Sequence, residues 1–566
     1  MAREKEESAA VALDRMRLLF KRSGGRAKMT KDEILASCPT LEVYGVPNAG
    51  DDSAPFQRLD ASLTNKEFWP RAREILVGSE KHKVALQYNI PTITSITPPK
   101  TPYVGLPLVC SNITTLFSTD ADMRYEWLET VQGGSEPRVI SRDPVLLPTE
   151  DLLGKSITLR VSPGAQEGSW SQILLPPVQS APPPVDRWKL TKEPVSTPHF
   201  RVVSYNILYE DFCTGRHART HIYPFATDDV LDPENRSARV LQELLAYNAD
   251  IICLQECGKK VFRTFLLPAM RTKGYDGVYA NKSGSVQEGC GILFRSTRYK
   301  LAVSETTPLS WGTVSTQFTS LAEQIEPHKE FKEALQNVTN IALVLLLEEL
   351  ETGKRLVVGN THLFFHANAC HIRLVQAYIY LDALNRMATK ESATSRLPIV
   401  MCGDCNCTHS TGAYRLFTTG QVEKIHHSWE KGKLFFWGCD RQLGYSGETL
   451  ESVAVSEAIS EEAAATKKRV VEERAPLETC FSQSLVAKLR LTDAYFRMDP
   501  SLPWTNYTLS FKEVVDYIMF SGDNLDVTQT IPIPSEAELS EQYALPNKNY
   551  PSDHVALIAD LLMKGA

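Results

Sequence analysis

The spacing of hydrophobic and polar residues changes along this chain close to residue 199. Upstream, between residues 41 and 174, short β-type runs such as Arg124–Leu128 and Ser156–Val161 are separated by turn residues, and no helical periodicity lies between them. Several short strands at this spacing predict a small all-β sandwich. The hydrophobic pattern therefore assigns residues 41–174 to a separate β domain.

Two further segments flank this predicted β domain. Residues 1–40 are predicted to be a tail with one helical segment, and residues 175–198 are rich in proline. Because proline removes backbone donors and stiffens the chain, the second segment is expected to be a semi-rigid linker. Cys110 and Trp127 suggest an immunoglobulin-like sandwich, but the later strand has no cysteine partner, so core packing alone would hold such a domain together.

From Phe200 onward, strand-like and helix-like segments alternate along the chain. This interleaving predicts a layered α/β domain over residues 199–566, with helices outside packed sheets. A segment rich in Glu, Ala, Ser and Lys, at about 440–480, is expected to be an exposed insertion. Strands are predicted at 200–204, 251–254, 291–294, 341–347, 355–362, 397–404, 514–520 and 555–561, and helices at 235–247 and 370–387.

Composition narrows the class of protein. The chain has 566 residues, 43% of them apolar, and a net charge of −7 from 61 basic and 68 acidic residues. This balance argues against indiscriminate binding to nucleic acid but permits a local basic groove. Twelve cysteines are too few for a disulfide scaffold, which favours reduced thiols and an intracellular protein, either cytoplasmic or mitochondrial. The longest apolar run, Ile341–Leu347, is too short for a membrane span, so no membrane association is expected.

Polar residues collect where the predicted strands end. Each of them has an ordinary explanation as a turn, a helix cap or a surface histidine. Asp516, inside an apolar strand, is harder to explain, because a buried carboxylate without a partner costs several kcal/mol. A shared catalytic or metal site accounts for all of these positions together. The strand-end groups are Ser204-Tyr-Asn206, Gln255-Glu256, Asn360-Thr-His362, Gly403-Asp404-Cys405-Asn406 and Ser552-Asp553-His554.

A zinc site is the competing interpretation of one of these segments. Cys402, Cys405, Cys407 and His409 supply enough soft ligands for Zn²⁺. Cys402, however, belongs to the preceding strand, where side chains alternate in direction, and no second cysteine pair with zinc-ribbon spacing follows. The zinc interpretation is therefore disfavoured.

Taken in order, the strand-end groups resemble the endonuclease/exonuclease/phosphatase superfamily. Within it, Glu288-Gly-Cys-Gly-Ile-Leu-Phe294 and the run from Thr505 to Phe511 resemble the carbon-catabolite-repressor-type deadenylases. Ile372-Arg-Leu-Val-Gln376, Ile531-Pro-Ile-Pro-Ser535 and Pro551-Ser-Asp-His554 are most similar to the 2′,5′-phosphodiesterase branch. The resemblance covers residues 199–566, and more weakly the upstream β domain. It implies a two-sheet α/β sandwich preceded by the small β domain.

The resemblance also implies magnesium-assisted hydrolysis of an RNA phosphodiester. Glu256 would be the principal Mg²⁺ ligand, helped by Asn206, because hard cations prefer oxygen ligands. Asp404, Asn406 and His554 would lie where a second metal ion sits or where the attacking water is held and activated. Whether one or two ions operate decides between base and ligand roles for Asp404.

Other roles follow from the same resemblance. His362 would contact the scissile phosphate, with Asn406 as a second polar contact. Asp516 would orient His554 and stabilise its cationic form, and Asp553 would support this network. Phe511 matches the position whose ring stacks on an adenine. Ala367 replaces a proline that relatives usually carry, which alters one wall of the adenine pocket.

The sequence therefore predicts a 3′-to-5′ exoribonuclease that depends on Mg²⁺, one or two ions, with Mn²⁺ as a substitute. Its expected substrates are single-stranded RNA 3′ ends, namely 2′,5′-oligoadenylate, 3′,5′ poly(A) tails or both, with release of 5′-AMP. One alternative is a nucleotide phosphatase of the same fold. Another is a catalytically silent RNA-binding or scaffold protein, which would have a broken set of acidic residues.

Overall fold

A computed structural model describes residues 6–19, 35–36, 38–49, 53–78, 81–86, 91–99, 101–110, 112–129, 137–164, 170–391, 396–432, 435, 484–540 and 542–564. The chain folds into two compact units. The first comprises residues 1–94, 114–123 and 162–169, and the second comprises residues 95–113, 124–161 and 170–566.

Upstream of residue 199 the described secondary structure is mostly strand. The helices are α1 (Ala9–Leu19) and α2 (Asn65–Phe68), and short 3₁₀ turns lie at Asp120–Asp122, Glu150–Leu152 and Asp186–Thr191. The strands are β1 (Leu41–Gly45), β2 (Gln57–Arg58), β3 (Ala72–Val77), β4 (His82–Ala85), β5 (Thr92–Thr97), β6 (Leu108–Val109), β7 (Asn112–Leu116), β8 (Arg124–Glu129), β9 (Arg138–Ser141), β10 (Val145–Leu146), β11 (Ser156–Ser162) and β12 (Ser171–Pro177).

The region predicted as one β-sandwich, residues 41–174, is strand-rich as expected, but it is divided between the two units. An antiparallel sheet of order β2-β1-β3-β4 belongs to the first unit, where Ala9 and Leu13 of α1 pack with Phe68. A second antiparallel sheet, of order β12-β11-β8-β9, belongs to the second unit. Hydrophobic alternation identifies strands but not the sheet that each strand joins, so the sequence did not show this division.

Downstream of residue 199, strands and helices alternate. The helices are α3 (Glu210–Thr214), α4 (Asp228–Leu231), α5 (Pro233–Ala246), α6 (Lys259–Val261), α7 (Leu267–Arg271), α8 (Trp311–Gln317), α9 (Thr319–Ile325), α10 (Lys329–Asn337), α11 (Cys370–Lys390), α12 (Gly412–Thr419), α13 (His427–Gly432), α14 (Ala494–Met498) and α15 (Glu536–Ser540), with π-helical turns at Ala218–Ile222 and Phe262–Leu266.

The strands of this region are β13 (His199–Asn206), β14 (Ile251–Gly258), β15 (Tyr275–Asn281), β16 (Glu288–Arg295), β17 (Tyr299–Pro308), β18 (Ile341–Glu349), β19 (Arg355–His362), β20 (Ile399–Asp404), β21 (Gln421–Val422), β22 (Leu485–Val486), β23 (Thr492–Asp493), β24 (Asn506–Tyr507), β25 (Lys512–Glu513), β26 (Asp516–Phe520), β27 (Leu525–Thr530) and β28 (Leu557–Met563).

Two six-stranded sheets form the centre of the second unit. Their strand orders are β15-β16-β14-β13-β28-β27 and β17-β18-β19-β20-β26-β23. One apolar core lies between the sheets and includes Val202, Leu343 and Ile518. A second core lies between the first sheet and α5, and a third between the second sheet and α11. The predicted two-sheet α/β sandwich is confirmed.

Each sheet brings strand ends together at one edge. In the first sheet β13 runs parallel to β14, and in the second sheet β19 runs parallel to β20, so each pair places its carboxyl ends side by side. β26 is antiparallel to β20 and begins opposite its end, since Asp516 pairs with Asp404. The fold therefore gathers the polar strand ends that the sequence pattern had marked.

The proline-rich segment 175–198 is not an open spacer in the structure. Val185 and Trp188 are buried in the core between the first sheet and α5. Arg239 of α5 donates a hydrogen bond to the Pro183 carbonyl oxygen at 2.9 Å. Proline lacks a donor but keeps its acceptor, so prolines can dock on a helix that presents donors. The segment belongs to the second unit.

Several elements were not predicted from the pattern. The edge strands β15, β17 and β27 and the helices α8 to α10 were missed. β17 is exposed along much of its length, so its polar residues hide the strand period. The predicted insertion at about 440–480 lies outside the described residues. Among the described helices, none combines the length and hydropathy that crossing a membrane requires.

Candidate active site

Asn206 lies at the point where the two sheets meet. It pairs with Gln255 across the parallel strands β13 and β14, which places its side chain beside Glu256. Its Nδ2 donates to Glu256 Oε1 and to Asp404 Oδ2, both at 3.0 Å. Its Oδ1 accepts the N–H of Leu208 at 3.0 Å. In this arrangement Asn206 orients carboxylates from both sheets, and its predicted role as a metal ligand stays a prediction.

Glu256 is held in an unusual backbone conformation at the end of β14. Its φ is 48°, in the left-handed region that non-glycine residues rarely adopt. The backbone N–H of Tyr209 donates to its Oε2 at 3.1 Å. Burial, and then the charge of nearby Asp553, raise the pKa of Glu256. A buried carboxylate with a raised pKa in a cleft is a candidate ligand for a cation.

Asp404 is the central carboxylate of the site. The parallel register of β19 and β20 sets it beside His362, whose Nε2 lies 3.6 Å from Asp404 Oδ2. Asn406, with a φ of 47°, donates its backbone N–H to Asp404 Oδ1 at 3.0 Å. The Asn406 Nδ2 donates to the Leu363 carbonyl oxygen at 3.1 Å, so Asn406 also fixes the loop after β19.

His554 and Asp516 form a buried pair on the other side of Asp404. The Nδ1 of His554 lies 2.8 Å from Asp516 Oδ2, and its Nε2 lies 3.8 Å from Asp404 Oδ2. Thr505 Oγ1 donates to the same Asp516 oxygen at 2.6 Å. Burial alone would lower the pKa of His554, but Asp516 and then Asp553 and Asp404 outweigh it and hold that pKa well above its usual value. The surrounding carboxylates therefore favour the cationic form of His554.

The acidic groups match the requirements of a divalent cation. Donor atoms of Glu256, His362 and Asp404 all lie within 4.8 Å of one another, and so do those of Asp404, Asp516 and His554. Burial, and next the charge of Asp516, raise the pKa of Asp404 to about 7. Crowded carboxylates of this kind are stabilised by a bound metal ion, and oxygen donors favour a hard cation.

The site opens into a cleft of about 720 Å³. Glu256, His362, Asp404, Asn406 and His554 line it, whereas Asn206 and Asp516 lie behind its floor. Other lining side chains are mostly aromatic or polar: Tyr209, Phe212, Lys282, Phe364, Phe365, Asn506 and Asp553.

The predicted adenine-contacting residues lie on the walls of this cleft. Phe511 lines it with a side chain that is 40% exposed, and Thr508 holds it by accepting the Phe511 N–H on Oγ1 at 3.1 Å. Ala367 also lines the cleft. An exposed ring held by a turn is available to a ligand, as stacking on a base requires.

Asp553 lies beside the predicted Asp516–His554 network, and its role in supporting that network stays a prediction. Its Oδ2 accepts the Tyr223 hydroxyl at 3.0 Å, and its Oδ1 lies 3.4 Å from Ser552 Oγ. Its charge acts on both Glu256 and His554. Asp553 is thus a further acidic wall of the cleft.

Lys282 and Glu288 also line the cleft, although the sequence pattern did not mark them as site residues. Lys282 follows β15, a strand that was missed, so its strand-end position went unnoticed. Glu288 begins β16, where the motif pattern predicts a strand rather than a site residue. In the structure the two side chains form an ion pair, and Lys282 lies beside His362. The signal that could have identified Lys282 is its position just after β15, the strand that pairs with the motif strand β16.

The motif Ile372-Arg-Leu-Val-Gln376 acts through α11. Arg373 is buried and donates to the carbonyl oxygens of Phe364 and His366 at 2.9 and 2.6 Å. Gln376 accepts the N–H of Phe364 at 2.8 Å. These bonds fix the loop that carries Ala367, which explains why the motif lies next to the site.

The cysteines near the site are packing residues. Cys402 is buried in the core between the sheets, whereas Cys405 and Cys407 are buried in the core beneath α11. His409 contacts the ring of Tyr414. The three thiols thus lie in two different cores rather than facing one point.

Comparison with known proteins identifies the class. The sequence profile of the endonuclease/exonuclease/phosphatase family matches residues 203–554, which contain every residue of the site described above. The chain belongs to this family. It is therefore a hydrolase with a nuclease or phosphodiesterase function. The family is metal-dependent, and the acidic and histidine groups of this site are possible metal ligands.

Some relatives align with nearly the whole chain, and others align with about two thirds of it. The chain is 28% identical to 2′,5′-phosphodiesterase 12 of Mus musculus over 96% of this chain and 83% of that protein. It is 27% identical to the CCR4-Not complex 3′-5′-exoribonuclease subunit Ccr4 of Schizosaccharomyces pombe over 64% of this chain and 49% of that protein. A crystal structure of ANGEL2, a 2′,3′-cyclic phosphatase, shares 24% identity, covers 65% of this chain and 96% of that chain, and has a TM-score of 0.48.

Proposed function

We propose that this protein is a Mg²⁺-dependent 3′-to-5′ exoribonuclease that cleaves 2′,5′-oligoadenylate, 3′,5′ poly(A) or both, and releases 5′-AMP. The observation that carries the proposal is the position of Asp404. Its side chain accepts hydrogen bonds from Asn206 and Asn406. It also faces the Nε2 atoms of His362 and His554, at the floor of a cleft with aromatic walls. A phosphodiester laid on this floor would meet donors and acidic groups from both sheets.

The extent of the two likenesses favours the 2′,5′-phosphodiesterase branch. The relative named for that activity aligns with 96% of the chain, including the β-rich region upstream of residue 199. The deadenylase subunit aligns with 64% of it. A substrate preference shared with the first relative is therefore the better starting hypothesis.

Each residue has a role that its contacts support. Glu256 and Asp404 would hold Mg²⁺, which would stabilise negative charge on the phosphate oxygens. His362 would donate to a phosphate oxygen, and Asn406 would keep the loop behind it in place. His554, kept cationic by Asp516, would stabilise charge next to Asp404. Phe511 would stack on the terminal base.

A panel of substrates tests this proposal. The wild-type protein is incubated with 2′,5′-linked tetra-adenylate, 3′,5′-linked tetra-adenylate and a 3′,5′-linked tetra-uridylate, each with Mg²⁺ or EDTA, and the nucleotides released are separated. The expected result is release of 5′-AMP from the adenylates with Mg²⁺, and slower release of 5′-UMP from the uridylate.

The outcomes separate the parts of the proposal. Equal rates on all three oligomers would remove the adenine preference and leave the nuclease. The oligomers carry a 5′-terminal phosphate, so release of inorganic phosphate alone would favour the phosphatase alternative. No Mg²⁺-dependent cleavage of any oligomer would contradict the proposed function.

A further inference from the structure

The side chains of Lys282 and Glu288 meet across the end of a hairpin. β15 and β16 are antiparallel and pair Asn281 with Gly289, so Lys282 and Glu288 are the next residues on the two arms. The backbone N–H of Lys282 donates to the Glu288 carbonyl oxygen at 3.1 Å, and the side chains form an ion pair. The Lys282 side chain is 11% exposed and that of Glu288 is 1% exposed.

Burying the Lys282–Glu288 ion pair costs desolvation free energy, which its interactions must offset. Two charges taken from water are stabilised only when their geometry and remaining hydrogen bonds are good. The second oxygen of Glu288, Oε2, is buried without a hydrogen-bond partner in the described part of the chain. The pair is therefore not optimised for stability alone.

The third group at this point is the ring of His362. The Lys282 Nζ lies 3.5 Å from His362 Nδ1, near the upper limit for a hydrogen bond. An ammonium group has donors and no acceptor, so the nitrogen that faces it must present its lone pair. A neutral ring then carries its single hydrogen on Nε2, the atom that lies 3.6 Å from Asp404 Oδ2.

We propose that Lys282, held by Glu288, is a positioning residue that fixes His362 in the neutral tautomer with its hydrogen on Nε2, directed towards Asp404 and the cleft. This inference rests on the proposed function, in which His362 donates to a phosphate oxygen. Asn340 fixes the backbone at the same point, because its Nδ2 donates to the His362 carbonyl oxygen at 2.8 Å. The backbone and the ring of His362 are thus held from two sides.

The variant that tests this proposal removes both charges. Lys282→Met alone would leave the Glu288 carboxylate buried without its partner, so the double variant Lys282→Met/Glu288→Gln is used. The matched control is Lys300→Met/Glu348→Gln, which removes a Lys–Glu pair between β17 and β18 whose lysine is 56% exposed.

The direct readout is the protonation of the ring. Long-range ¹⁵N–¹H spectra are recorded on full-length, metal-free protein labelled at histidine nitrogen, and His362 is assigned with His362→Gln. In the wild type and the control, Nε2 is expected to be protonated and Nδ1 unprotonated. In the double variant the two shifts are expected to approach each other as the tautomers mix.

Kinetics give the second readout. With 2′,5′-linked tetra-adenylate, kcat of the double variant is expected to fall about 10–100-fold with little change in KM, the range typical for loss of a group that orients a catalytic side chain. A wild-type ring protonated on Nδ1, unchanged His362 shifts in the double variant, or shifted resonances with an unchanged kcat would each overturn the proposal. If the wild type cleaves no oligoadenylate, the proposed function fails, while the spectra still decide where the hydrogen lies.

Discussion

At the scale of single residues, Asp404 is the group on which the site depends. Its two oxygens receive hydrogen bonds from Asn206 and Asn406, and two histidine rings face it. Asn206 and His362 are the last residues of β13 and β19, Asn406 lies in the turn after β20, and His554 lies just before β28. Small losses of orientation at the surrounding side chains should therefore appear in kcat rather than in stability.

The pair of Asp516 and His554 gives a first prediction. Asp516→Asn keeps the size of the side chain but removes the charge that supports the imidazolium. We expect the pKa of His554 to fall and kcat to drop about 10–100-fold, while the protein stays folded. Histidine NMR titration and steady-state kinetics measure the two effects.

Asp523→Asn is the control, because Asp523 is exposed in the turn after β26. It should change neither the pKa of His554 nor kcat. An unchanged kcat in Asp516→Asn would show that the charge of this residue is not needed.

Phe511 gives a second prediction at this scale. If its ring stacks on a base, Phe511→Ala should weaken the binding of oligoadenylate by about 1–3 kcal/mol, the usual contribution of one base–aromatic stack. The unfolding midpoint should change little, because the side chain is 40% exposed. Leu509→Ala, in the same loop and 56% exposed, should bind normally. Equal affinities of the two variants would show that Phe511 does not contact the base.

At the scale of elements, α5 and α11 hold the two sheets in position for the site. α11 does so through Arg373 and Gln376, as described above. α5 carries Glu243, which is buried and accepts the hydroxyls of Tyr205 and Tyr247 at 2.7 and 3.0 Å. Tyr205 precedes Asn206, so this contact anchors β13 directly behind the site.

The environment of Glu243 predicts a pH dependence of stability. Burial raises its pKa from 4.5 to about 6. The folded state therefore holds the proton more tightly than the unfolded state, and stability from this group falls as the pH rises from about 4.5 through 6. A shift of this size corresponds to about 2 kcal/mol.

Glu243→Gln should abolish this fall, because glutamine keeps the hydrogen-bonding shape without a titrating proton. Denaturant unfolding between pH 4 and 8 measures the free energy of unfolding of both proteins. Relative to the wild type, the variant should gain about 2 kcal/mol above pH 6 compared with below pH 4.5. Glu330→Gln, at an exposed position on α10, should show no such change. A difference from the wild type that is independent of pH would contradict the assigned protonation.

At the scale of the whole molecule, the unit that carries the site is larger than the sequence pattern indicated. The second unit includes residues 95–113 and 124–161 together with residues 170–566. Val109, Val185 and Trp188, all upstream of the expected boundary at residue 199, are buried in the core of the first sheet and α5. A domain that begins at residue 199, as the sequence pattern predicts, would therefore lack part of its core.

Two fragments test this extent. A fragment of residues 199–566 lacks Val185 and Trp188, whereas one of residues 179–566 keeps them. Since burying a large apolar side chain contributes about 1.5–3 kcal/mol, the shorter fragment should be roughly 3–6 kcal/mol less stable in denaturant unfolding. Equal stability of the two fragments would support the original interpretation of this segment as a spacer.

The sequence predicted the parts of the fold that depend on local periodicity and on strand ends. β19 and the start of α11 were placed at their observed residues, and Asn206, Glu256, His362, Asp404 and His554 meet as the strand-end argument required. Lys282 was missed because it follows β15, a partly exposed strand without a clear period, and Glu288 was missed because it begins β16, where the motif pattern marked a strand but no site residue. The hydrogen bonds of the Asn206 amide could not be predicted, because neighbours from both sheets set them and sequence spacing does not. Its assignment as a metal ligand stays a prediction.

The proposed Mg²⁺-dependent cleavage through Glu256 is tested by the rate of 5′-AMP release from 2′,5′-linked tetra-adenylate. The rate is measured for the wild type and for Glu256→Gln, with Mg²⁺, with EDTA, and with Mg²⁺ restored. Glu256→Gln keeps the side-chain length and removes the charge expected to hold the cation. The wild type should cleave with Mg²⁺, lose activity in EDTA and regain it when Mg²⁺ is restored, and the folded variant should stay at background throughout. Equal rates for the two proteins, or a wild-type rate unaffected by EDTA, would contradict the account.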